Sequence, residues 1–155
     1  MKDEKVLPMD SKSEIDRLMT EFFQAVSFRE GERPAYTALF TLFIETGLLI
    51  KNSAAEPEIS NVGQFIGPRE KSVSSGELTT FREVELSEIT EIFGNVGQRF
   101  SAYGKSGVLN GAAFEARGMI TTQFIRTPAG WKISAMAWDD ERPNLSIPKK
   151  YEDAG

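Results

Sequence analysis

The stretch that most restricts this chain is Gly130–Glu141, read GWKISAMAWDDE. A turn signal, Thr127-Pro128-Ala129-Gly130, precedes it, and its residues then alternate as a strand does. An unbroken pleat sends Trp131, Ile133, Ala135 and Ala137 to one face and Lys132, Ser134, Met136 and Trp138 to the other. The two tryptophans, the only ones in the chain, are thus expected on opposite faces. A strand with apolar groups on both faces is covered twice, by its own domain or by a partner.

The rest of the chain supplies the cover. Ile15, Leu18, Met19, Phe22 and Val26 recur at helical spacing after Ser11 and Glu14, which stand at capping-box distance. A helix is predicted from about residue 11 or 13, with Gly31 as its stop. A second helix is predicted from Pro34, with Tyr36, Leu39, Phe40 and Phe43 on its buried face and Tyr36 stacked beside Phe40. Leu48–Ile50 reads as a short strand. Ser60 is the expected cap of a third helix, carrying Val62, Phe65 and Ile66 and shortened or divided by Gly63, Gly67 and Pro68.

From Phe81 the period changes to that of strands. Val84 and Leu86 alternate with Glu83, Glu85 and Ser87, and the phase slips near Glu88, as at a β-bulge. Gly94-Asn95 reads as a turn, 96–105 and 114–126 as strands, and 105–111 as a loop. Helices followed by a run of antiparallel strands define an α+β domain, and a bent, bulged sheet around a helix leaves a concave space for a ligand. The expected organisation is a loose N-terminus (1–12), one domain (13–142) and an extended tail (143–155).

Composition narrows the chemistry. The 155 residues hold no cysteine and no histidine, which removes disulfides, thiolate catalysis, the commonest general base and the commonest ligand of transition metals. A net charge of -5 without a basic stretch argues against nucleic acid. No run approaches the roughly 20 apolar residues of a membrane span, and MKDEKVLPMD does not read as a signal peptide. The expectation is a cytoplasmic protein without nucleic-acid or membrane partners. Walker, G-x-G-x-x-G and G-x-S-x-G motifs are missing, and no cofactor is expected. Gly104-Lys105-Ser106-Gly107 lacks the setting of a phosphate loop and reads as a turn.

The order of these pieces resembles the nuclear transport factor 2-like superfamily, and within it the SnoaL-like proteins and a group of small stand-alone domains. The residues that carry the resemblance are Phe65-Ile66-Gly67-Pro68-Arg69-Glu70, Ser75-Gly76, Phe81–Glu85, Phe100–Tyr103, Arg117-Gly118-Met119 and the tryptophan strand. The resemblance implies a cystatin-like cone: a curved antiparallel sheet wrapped around N-terminal helices, a pocket at its open end, and homodimers through the sheet's outer face. It does not imply one activity, because the fold serves isomerases, cyclases, dehydratases, hydrolases and association modules. The family's Asp–His pair cannot exist here. Its Tyr–Asp oxyanion site would need an aspartate beside Tyr36 or Tyr103.

Three functions follow as alternatives. The first is a homodimeric binder of a small, largely apolar molecule, with Phe22, Tyr36, Phe40, Phe65, Arg99, Tyr103, Arg117, Gln123 and Trp138 as its pocket. Arg99 and Tyr103 share one strand face, as do Arg117, Thr121 and Gln123 on the next strand, and such groups hold a carboxylate or carbonyl oxygen. The bland alternative pairs each arginine with a glutamate. The second function is a lyase or isomerase of a carbonyl compound, with Tyr36 or Tyr103 as oxyanion donor and Asp16 or Asp139 as base. The third is a protein-association module with a filled cone. The string Glu83, Glu85, Glu88, Glu91 reads as a solvated edge, and Asp139-Asp140-Glu141 lacks the spacing of a metal site, so none is proposed.

Overall fold

A computed structural model describes residues 10–152 of the chain. Helix α1 (Ser11–Val26) opens on Asp10, whose carboxylate accepts the Ser13 amide at 2.8 Å. The cap is one residue before the expected serine, and the helix stops well before Gly31. Ser27 turns extended there, and Phe28 forms a β-bridge with Phe81. Seven α1 residues are buried, among them Ile15, Leu18, Met19, Phe22 and Val26. At about 1.5–3 kcal/mol for each large side chain, packing rather than helix propensity holds α1 in place.

The second predicted helix is short and ends at Leu42. A 3-10 turn (Tyr36–Ala38) and the one-turn α2 (Leu39–Leu42) lead directly into β1 (Phe43–Lys51). Tyr36, Leu39 and Phe40 keep their helical turns, and pairing with Ile133 overrides the helical spacing at Phe43 alone. After β2 (Glu58–Ser60) comes α3 (Val62–Ser74), with a full capping box between Asn61 and Gln64 rather than a Ser60 cap. Pro68 stands inside α3 without ending it. The next residue, Arg69, turns its guanidinium back to the Phe65 carbonyl at 3.0 Å.

The remaining strands are β3 (Leu78–Phe93), β4 (Val96–Leu109), β5 (Ala112–Thr127) and β6 (Gly130–Asp140). They form one six-stranded sheet in the order β2-β1-β6-β5-β4-β3, an open cone rather than a closed barrel. All neighbours pair antiparallel except β1 with β6, which run parallel. β4 does not end at Lys105; it continues to Leu109 and turns through Asn110 and Gly111, both at positive φ. The slip near Glu88 falls at Leu86, between the pairs Glu85↔Tyr103 and Ser87↔Ala102.

A second bulge decides the interior. On β6, Ile133 faces Phe124 and Ala135 faces Gln123, so Ser134 is an extra residue without a partner. One extra residue reverses the parity of everything beyond it. Trp131 and Ile133 before the bulge, and Met136 and Trp138 after it, consequently share the concave face with α1. The expectation that the tryptophans point to opposite faces is overturned. The same reversal turns Asp140 inward, opposite Gly118, and Asp139 outward, opposite Met119.

The tail is not an extended coil throughout. A last helical turn, α4 (Lys149–Glu152), lies over the convex face, with Ile147 and Tyr151 packed on Ala102 and Met119. Residues 10–12 belong to the cap and first turn of α1, and the rest of the expected loose N-terminus lies outside the described residues.

Candidate functional site

The helices do not fill the cone. A cavity of about 310 Å³ opens between the C-terminal half of α1, α3 and the sheet. Phe22 and Val26 form its α1 wall, Tyr36 one end, and Phe65, Arg69 and Ser72 the α3 side. The sheet contributes Leu78, Phe81 and Glu83 from β3, Lys105 and Leu109 from β4, Phe114 and Ile120 from β5, Trp138 from β6 and Lys51 from β1. Apolar and aromatic groups thus make most of the wall, the usual composition of a small-molecule site, and the volume is at the low end of such sites.

The polar groups are few and connected. Glu83 and Lys105 are cross-strand partners, and Lys105 Nζ reaches Asp140 at 3.1 Å. Asp140 also accepts the hydroxyl hydrogen of Tyr103, which is completely buried. Gly118 makes this contact possible: a Cβ there would lie 2.4 Å from the Tyr103 oxygen. Burial, with the bond to Asp140 behind it, raises the Tyr103 phenol above its ordinary value and keeps it protonated. On the opposite wall the Arg69 guanidinium lies 3.7 Å from the centre of the Phe65 ring. Its carboxylate neighbour, Glu58, is 3.7 Å away and half exposed.

Glu83 is different. Its backbone amide donates to the Ser27 hydroxyl oxygen at 3.0 Å, but among the described residues its carboxylate has no hydrogen bond or ion pair. The residue is half-buried, and it lines the cavity. Desolvation by burial, the main cause, pushes its pKa from 4.5 up to about 7, with Asp140 adding to the rise while Lys105 and Arg69 oppose it. Tyr36 lines the same cavity, and burial raises its phenol too.

No family model and no curated protein sequence matches this chain. Solved structures do. A nuclear transport factor 2-like superfamily protein from Salmonella enterica superposes with a TM-score of 0.71 at 13% identity, over 90% of this chain and 96% of its own. The chain has the nuclear transport factor 2-like fold. A protein of Novosphingobium aromaticivorans with a cystatin-like form of this fold matches at a TM-score of 0.63 and 13% identity, over 92% and 86% of the two chains. A protein of Exiguobacterium sibiricum, provisionally described as a calcium/calmodulin-dependent kinase II association domain, matches at 0.68 and 12%, over 90% and 99%.

Within the nuclear transport factor 2-like cone the sequence-predicted site residues separate. Phe22, Tyr36, Phe65 and Trp138 line the cavity. Phe40, 55% exposed, points away, on the outer side of α2, which buries Leu39 and Leu42 instead. Arg99 faces inward but away from the cavity: it forks onto Glu85 at 3.0 and 2.7 Å and meets Asp16 at 2.6 Å, clasping α1 to the sheet. Asp16 is thereby committed to Arg99 and Lys12, which lower its pKa against the opposing effect of burial. Tyr103 lies beneath the cavity wall. Arg117 and Gln123 sit on the convex face, because Tyr103 pairs with Gly118 and Arg99 with Thr122. Arg117 there binds Glu141 and Glu152. Asp139 pairs with Arg142 outside the cone. The carboxyls at the cavity are therefore Glu83 on its wall and Asp140 behind it, which sequence reasoning assigned to a solvated edge and a surface turn. Phe81, two residues before Glu83 and on its face, was the available signal. Among the described residues no cluster of carboxylates gathers as a metal site, and no helix is long and apolar enough to cross a membrane.

Proposed function

We propose that this chain binds a small, largely apolar molecule in the cone, as a homodimer joined through the outer face of the sheet. The observation that carries the reading is the 310 Å³ cavity, walled by Phe22, Phe65, Phe114 and Trp138 and provided with a few polar groups, among them Glu83 and Lys105 on the sheet and Arg69 on α3. The dimer is supported by a strip of exposed apolar groups on the convex side of β3 and β4, where Ile89 pairs with Phe100 and Phe93 with Val96. Within the fold the SnoaL-like proteins are the nearer kin on this reading.

Ser72→Trp tests the binding site. Ser72 is half-buried at the mouth of the cavity, so an indole there blocks the space without entering the core. A library screened by native mass spectrometry and thermal shift yields apolar ligands for the unmodified chain and none for the variant, whose melting temperature is unchanged. Ligands that bind both forms equally refute the reading. Sedimentation of the chain and of Phe100→Glu tests the dimer.

One observation favours catalysis as a second reading. Tyr36 and Glu83 line the same cavity, and their side chains make no hydrogen bond among the described residues. A carboxylate poised near neutrality and a phenol donor are the parts of a proton-transfer site for a carbonyl compound. Exchange of a bound ketone's α-hydrogens in D2O, abolished in Glu83→Gln, would support it; exchange at the solvent rate excludes it.

A further inference from the structure

The charges around the cavity limit what the apolar ligand can carry, an inference that rests on the binding reading above. Three cationic side chains line the space: Lys51, Arg69 and Lys105. Only Lys105 is closely neutralised, by Asp140 at 3.1 Å. Arg69 has just the half-exposed Glu58 at 3.7 Å, and spends one N–H on the Phe65 carbonyl. The remaining N–H groups of its planar fork have no bonded partner among the described residues. Against these cations stands one carboxyl, Glu83. A ligand amine would enter a space whose helix side is already positive. An anion would meet Arg69, the side chain whose geometry suits a carboxylate best.

A ligand anion must also live with Glu83. Two carboxylates cannot both stay ionised at close range, so one proton has to lie between them. The groups that act on Glu83 are Lys105 and Tyr103 from β4, Asp140 from β6 and Arg69 from α3, while the α1 wall contributes only the apolar Phe22 and Val26. Among these, the Tyr103 hydroxyl donates a hydrogen bond to Asp140, and Lys105 is drawn to the same carboxylate. Glu83 is left as the one group on the wall that can take up a proton when an anion arrives.

We propose that the cavity takes an apolar carboxylic acid, its carboxylate held by Arg69 and Lys105 and sharing one proton with Glu83. The free chain then binds a proton together with the ligand whenever Glu83 starts ionised. Affinity is flat between about pH 5, where the ligand's own carboxyl ionises, and about pH 7, and it falls about tenfold for each pH unit above that.

Isothermal titration with octanoate, 4-phenylbutyrate, and the amide, alcohol and amine of each carbon skeleton provides the test. At pH 7 the acids bind at least tenfold more tightly than the alcohols and amines. At pH 8 their heats in phosphate and in Tris differ by the ionisation enthalpy of close to one proton taken up. Glu83→Gln binds the acids at pH 8 as tightly as at pH 7, and Arg69→Met loses the preference for the acids. Because the proton uptake is read on the unmodified chain, the result does not depend on either variant folding. Amines or alcohols binding better than the acids, or acids binding without proton uptake at pH 8, overturn the proposal and leave the binding reading standing. No binding by any skeleton, alcohols included, overturns both.

Discussion

Replacing Glu83 by glutamine should make the protein more stable, and by an amount that depends on pH. The carboxyl lines the cavity without a bonded partner among the described residues, and desolvation raises its pKa from 4.5 to about 7 on folding. Each tenfold change in an acid constant corresponds to about 1.4 kcal/mol, so ionised Glu83 costs the fold about 3 kcal/mol. An acid whose folded value lies above its unfolded one favours the folded state below the unfolded value. That advantage disappears as pH rises from about 4.5 to 7, and it stays absent above. Glutamine keeps the shape and never ionises. Urea unfolding followed by circular dichroism should show the two proteins alike at pH 4.5 and Glu83→Gln ahead by about 3 kcal/mol at pH 8. For a chain of this size that is about 6–12 °C in melting temperature. A variant with the same advantage at both pH values, or none at pH 8, would mean that the carboxylate is solvated or partnered, and the cavity electrostatics described above would be wrong.

Other perturbations test the frame around the cavity. Arg99→Met removes the cation between Glu85 and Asp16, and should cost about 3 kcal/mol in urea unfolding because Glu85 loses both nitrogens of the fork. Gly118→Ala places a methyl 2.2 Å from the Asp139 carbonyl and 2.4 Å from the Tyr103 oxygen, and should lower stability by about 3 kcal/mol or more in a thermal melt. Tyr103→Phe should cost about 1.5–3 kcal/mol for the lost bond to a charged acceptor, and leave ligand affinity nearly unchanged, since Tyr103 lies behind the wall.

Much of the fold was legible because local and global preferences agree. The stripe Ile15-Leu18-Met19-Phe22-Val26 is the buried face of α1, and Gly94-Asn95 is the hairpin that joins β3 to β4. Phe43 shows where agreement fails. Its helical spacing from Tyr36, Leu39 and Phe40 is real, but pairing with Ile133 on β6 claims it for β1. The site was less legible because it depends on strand parity. Val84 and Leu86 look like the inward residues of β3, whereas Phe81, Glu83 and Glu85 face in, opposite Gly107, Lys105 and Tyr103. Nothing in the letters marks Ser134 as a bulge, since a bulge is decided by what the neighbouring strand offers. For that reason Asp139 stood in the expected site and Asp140 did not.

The unpaired serine in β6 has a bearing on how such a protein can change. Removing Ser134 would let Ile133 and Ala135 become neighbours in an ordinary ladder, and Trp138 and Asp140 would keep their places. Adding a residue between Ser134 and Trp138 would instead exchange the neighbouring acids, bringing Asp139 into the cone and dismissing Asp140 together with its hold on Lys105 and Tyr103. In a lineage of these domains, the gain of a single codon after Ser134 would reset the chemistry of the interior more abruptly than point substitutions in its walls.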